Sequence, residues 1–151
     1  MPLEGEPSPF LRSKANEGAA TFAPDGQWVV YISDESGRPE VYVRPYPGPG
    51  KRRQISNGGG TEPQWSRDGK ELFYRNGYQM LSVDVDTGAD FTASEPRLLF
   101  EERYDVGTGT ARNYDVSPDG QRFLMVSDTS TGELHVVINW FEELKRLAPT
   151  N

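Results

Sequence analysis

The chain has 151 residues, enough for one domain with a core that buries roughly two thirds of the unfolded surface and too few for two independent domains. Apolar residues make up only 34%, yet 3 Trp, 7 Tyr and 7 Phe argue against disorder, and 16 Gly with 12 Pro punctuate the apolar runs as short strands and tight turns would require. A formal charge of −7 repels phosphate backbones, the absence of Cys excludes disulfides, thiolate metal sites and a cysteine nucleophile, and nowhere do about 18 consecutive apolar residues occur.

Taken in chain order, the opening "MPLEGEPSPFLRS" lacks a positive region followed by an apolar stretch, so no export signal is expected and the compartment stays open. Residues 10–13 read as an outer strand by position, Leu11 standing 14 residues before the turn aspartate Asp25 much as Ile55 stands 13 before Asp68. Next comes "FAPDGQWVVYIS", and it has two echoes, "WSRDGKELFYRN" and "VSPDGQRFLMVS". Each reads as a strand end, a four-residue type I turn, and a second strand. Pro24 and Pro118 preset φ at the second turn position, and Gly26, Gly69 and Gly120 accept the left-handed conformation that closes the hairpin with a bulge. The strands after the turns, "WVVYIS", "ELFYRN" and "RFLMVS", are apolar on both faces, as expected between two neighbouring sheets.

Third strands follow as "EVYVR", "QMLSVDV" and "LHVVI", and fourth strands as "RQIS" and "RLLF" in the first two copies. The basic run of Lys51, Arg52 and Arg53 beside the first of these outer strands reads as protection of a sheet edge. No fourth strand follows the third copy. Instead "NWFEELKRLAP" carries Asn139 as N-cap, Glu142 in capping-box position, apolar Trp140, Leu144 and Leu147, and a terminating Pro149, which predicts a helix over 140–147.

The turn aspartates Asp25, Asp68 and Asp119 are spaced 43 and 51 residues apart, a period suited to propeller blades. The expected fold is therefore all-β, a β-propeller segment over 9–149 made of three four-stranded blades (about 20–56, 62–100 and 113–139) with a short C-terminal helix. Three blades are half of a six-bladed ring. The unmatched strand 10–13 at one end and the blade lacking a fourth strand at the other predict a homodimer closed by strand exchange.

These phrases, together with "GRPEVYVRPYPGPG" and the ending "NWFEELKRL", resemble the WD40-like repeats of TolB-type β-propellers, most closely the C-terminal part of the propeller attached to some bacterial serine/threonine protein kinases. Ala23 and Arg67 depart from the Ser and Pro that the repeat favours. The resemblance implies a sensor-like module for binding or protein interaction. Kinase chemistry itself has no residues here: the single His, His135, is followed by Val136, so no HRD loop can be written, and neither a Gly-rich phosphate loop nor DFG occurs.

Other chemistry also lacks its residues. No G-x-S-x-G elbow is present, His135 reads as a strand residue, and "VDVDTGADF", with Asp84, Asp86 and Asp90, lacks the spacing of a calcium loop. The chain is expected to be no enzyme and to need no cofactor or metal, with neither nucleic acid nor membrane as partner. Binding is expected where fourth-to-first-strand connections and second-to-third-strand turns crowd one end of the channel. The candidates there are Glu17, Glu62, Arg112, Asn113 and Tyr114. The alternative reading is the propeller portion of a larger prolyl-oligopeptidase-like hydrolase whose catalytic domain lies on another chain.

Overall fold

The computed structural model describes residues 8–88, 90–107, 111–127 and 132–138, and within these the chain forms twelve β-strands and no helix. The first sheet contains β1 (Glu17–Phe22), β2 (Trp28–Ser33), β3 (Glu40–Pro45) and β4 (Arg53–Gln54) in antiparallel sequential order. The second contains β5 (Thr61–Trp65), β6 (Glu71–Asn76) and β7 (Gln79–Asp86), whose outer side pairs with β8 (Thr92–Ala93) and with β9 (Arg97–Glu101). The third has β10 (Tyr114–Val116), β11 (Arg122–Val126) and β12 (Leu134–Ile138). The helix expected at 140–147 lies outside the described residues, and residues 10–13, expected as a strand, join no sheet within the chain.

The repeated turns are built alike. Gly26, Gly69 and Gly120 have φ of 71°, 73° and 71°. Their amides donate to the carbonyls of Ala23, Ser66 and Ser117 at 2.9, 3.1 and 2.8 Å. An Asx turn braces each hairpin, the carboxylates of Asp25, Asp68 and Asp119 accepting from the amides of Gln27, Lys70 and Gln121. In the second and third turns a serine adds a further bond, Ser66 and Ser117 donating to Asp68 and Asp119 at 2.7 and 2.5 Å. Ala23 cannot do this, so the first turn rests on backbone and aspartate alone.

Sheets stack face to face through two apolar layers. Between the first and second lie Val30, Ile32, Val41 and Val43 on one side and Leu72, Tyr74, Val83 and Trp65 on the other. Between the second and third lie Phe73, Met80 and Leu99 against Tyr114, Phe123 and Met125, with the Phe73 and Phe123 rings edge to face at 5.3 Å. Strand β6 serves both layers by alternation, Leu72 and Tyr74 facing the first sheet and Phe73 the third, which is why it contains no exposed position.

Candidate functional site

Both β1 and β5 carry a bulge near their start, with non-glycine residues at positive φ: Ala19 at 49° and Glu62 at 54°. When the turn aspartates are superposed, Ala19, Glu62 and Asn113 occupy equivalent positions. The left-handed backbone turns the Glu62 side chain into the junction between the second and third sheets, where it is 1% exposed. Its Oε1 accepts from the Gly107 amide at 3.1 Å and its Oε2 from the Asn113 amide at 2.8 Å. The Tyr114 hydroxyl donates to the Glu62 carbonyl at 2.7 Å, and burial raises the affinity of that hydroxyl for its proton well above the ordinary tyrosine range.

A second charge answers the first. Arg75, equally buried, stands 4.0 Å from Glu62 Oε1 and donates to the carbonyls of Asp105 and Tyr104 at 2.5 and 3.2 Å. Asn113 closes the circuit by donating through Nδ2 to Asp105 at 2.7 Å. A carboxylate and a guanidinium removed from water persist only when hydrogen bonds consume their remaining capacity, and here backbone groups of the connection between β9 and β10 do so. The node fixes the segments on either side of it. Its carboxylate oxygens are occupied from within the chain.

The other two candidates lie outside this knot. Arg112 is exposed, near enough to Tyr114 to act on it electrostatically. Glu17 is exposed at the start of β1, accepts from Ser13 Oγ at 2.6 Å, and lines a cavity of about 290 Å³ with Asn16, Ser33, Asp34, Thr61 and Gly107. Gly107 is thus shared, its amide held by Glu62 and its surface open to the Glu17 cavity. Within that cavity Asn16 donates to Asp34 through Nδ2 at 2.6 Å and through its amide at 2.9 Å, which keeps the Asp34 carboxyl below the ordinary aspartate range.

Sequence reasoning missed Arg75, Asp105 and a second buried acid, Glu40. Glu40 is 2% exposed and accepts from Ser56 Oγ at 2.5 Å and from the amides of Gly58 and Gly59 at 3.1 and 2.9 Å, with Arg38 Nε at 3.2 Å. An acid opening a strand 18 residues before consecutive glycines was the available signal. Of the basic run, Arg52 lies over the Tyr42 ring at 5.1 Å and pairs with Glu35, while Arg53 sits exposed on β4. His135 reaches Glu133 at 3.5 Å and meets Tyr104 edge to face. Asp86 accepts from the Gly88 amide. Among the described residues no group of three or more His, Asp or Glu is placed to hold a metal ion, and no helix is long and apolar enough to cross a membrane.

No family model matches the chain, and no curated protein does. Solved structures do match. A TolB-type protein of Agrobacterium tumefaciens superposes with a TM-score of 0.54 at 17% identity, over 82% of this chain and 44% of that one. An oligogalacturonate lyase of Vibrio parahaemolyticus superposes at 0.51 and 21% identity, over 70% of this chain and 27% of its own length. The chain spans less than half the length of each. At these identities the likeness establishes the fold, antiparallel sheets stacked as in TolB-type β-propellers.

Proposed function

We propose that the chain is a non-catalytic β-propeller module for ligand binding or protein interaction, in which each sheet is one blade and two copies complete a six-bladed ring. The observation carrying this reading is the edge of the third sheet. The first two sheets continue past their third strand to β4 and β9, whereas β12 pairs only with β11 among the described residues. Propellers close with typically about 4 to 8 blades, so three leave both ends open. A two-fold axis along the channel brings residues 10–13 of each copy beside β12 of the other and pairs both edges.

In this assembly the exposed rim residues Glu17 and Arg112 of both copies face a shared channel mouth and carry recognition. Glu62, Asn113 and Tyr114 hold the connections that position them. Light scattering is the decisive measurement. A dimer is expected at micromolar concentration and a 16.9 kDa monomer there overturns the ring; loss of residues 1–13 is expected to disperse it. The shortness of the chain beside its structural neighbours favours a second reading, a propeller portion of a larger hydrolase, which predicts co-purification with a catalytic chain.

A further inference from the structure

The internal repeat specifies what the third sheet's open face is for. Val30, Phe73 and Leu124 are equivalent positions on the second strands, and Val43, Ser82 and Val136 are their cross-strand partners. In the first two sheets these four side chains point at the following sheet and are at most 1% exposed. Leu124 and Val136 are 41% and 64% exposed. Leu134 tells the same story: it is 65% exposed, while its counterparts Val41 and Met80 are fully buried.

The complementary face also exists in the chain. The residues of the second sheet that receive the first are Leu72, Tyr74, Leu81 and Trp65. Their equivalents on the first sheet are Val29, Tyr31, Tyr42 and Phe22, and among the described strands no sheet packs on that side. Phe22 is 56% exposed where Trp65 is 8%. The other three are nonetheless buried, with Arg52 over Tyr42. The segment before β1 runs along this face. Phe10 packs on Tyr46 at 5.7 Å, Tyr46 meets Phe22 edge to face at 4.9 Å, and at the opposite end of the sheet Asn16 is clamped to Asp34.

Resting on the ring proposed above, we infer that the aliphatic face of the third sheet docks on the aromatic face of the first sheet of a second copy, and that residues 10–16 are a strap guarding this face in the isolated chain. Docking continues the stacking already made twice within one chain, and it requires the strap to swing off its own sheet, which frees residues 10–13 for exchange. Assembly is thus a competition between two occupants of one face, the chain's own strap and a second copy.

The absence of native cysteine makes the test direct. V136C and F22C, mixed and joined with a short bismaleimide, are expected to yield a V136C–F22C product, and V136C alone none. V136D is expected to weaken dimerisation about a hundredfold, since the new charge would lose its water against apolar partners. N16A removes the Nδ2 hydrogen bond of the clamp, leaving the backbone one, and is expected to strengthen dimerisation roughly fivefold. Circular dichroism of each variant, compared with the unchanged protein, reports that the fold persists. A dimer that gives only the V136C–V136C product, or neither product, overturns this docking while leaving the dimer standing. An N16A dimerisation constant equal to that of the unchanged protein overturns the strap. A monomer at every concentration, or one whose V136C is shielded from a thiol reagent by the chain's own C-terminal segment, overturns both docking and ring.

Discussion

The layer between the first and second sheets and the outer face of the third are written in the same alternation of apolar residues, and they end in opposite environments. Val30 and Val43 are fully enclosed, while Leu124 and Val136, their counterparts, stand largely in water. Pattern sets which side of a strand is apolar, and a neighbour is needed before that side becomes a core. The contrast isolates what one sheet contributes to its neighbour, and it can be broken or sharpened by substitution.

The largest effect is expected from truncating the same position on either side of the contrast. F73A should cost about 3–5 kcal/mol, because the ring fills the second layer against Phe123. L124A, measured by urea titration in dilute solution, should cost less than about 1 kcal/mol, since its side chain has no layer to leave. A loss at Leu124 equal to that at Phe73 would show that the third face is covered in the isolated chain.

Next in size is E40A. It strands the buried Ser56 hydroxyl, at about 1–3 kcal/mol, and also removes the acceptor of the partly exposed Gly58 and Gly59 amides. A melting temperature within a degree or so of the unchanged protein would mean that water reaches this pocket. G26A, at a turn where an added Cβ meets nothing but must adopt positive φ, is expected to cost about 1–2 kcal/mol. An increase in stability there would mean the turn tolerates another geometry.

The smallest expected effect is one of pH. Asp68 is held below the ordinary carboxylate range first by Ser66 Oγ and then by the Lys70 amide, and Asp119 first by Ser117 Oγ and then by the Gln121 amide. Because these folded-state values are depressed, the stabilisation is fully present above the ordinary aspartate value and disappears as pH falls below it. S66A and S117A should each lower stability slightly at neutral pH, leave it nearly unchanged where the carboxyls are already protonated, and so flatten the acid limb of stability below about pH 4. A limb as steep as before would show that the serines do not set the titration.

The turns, and the second and third strands of every copy, were legible in the sequence because hairpin closure is local: Pro, Asp and Gly at fixed offsets leave the backbone one arrangement. Other features required the fold. β8 is a two-residue strand and carries no periodicity to read. Arg75 occupies the position that Ile32 holds in the first sheet, so "ELFYRN" looked like ordinary core with a polar end, and only the approach of the Asp105 and Tyr104 carbonyls makes a buried guanidinium acceptable. Glu62 was read as a rim residue for a similar reason. Its position before the strand was legible, but the bulge that turns it inward was not, since nothing in "GTEPQW" demands positive φ from a glutamate.

Each hairpin turn, braced by its own aspartate, also bears on time. The bonds that close residues 23–28, 66–71 and 117–122 join groups at most five positions apart. Nothing distant has to arrive before they form, so these hairpins can close on the scale of about 1–10 μs. The slow events are left to the meeting of sheets and, in the proposed dimer, to the concentration-dependent encounter of two chains.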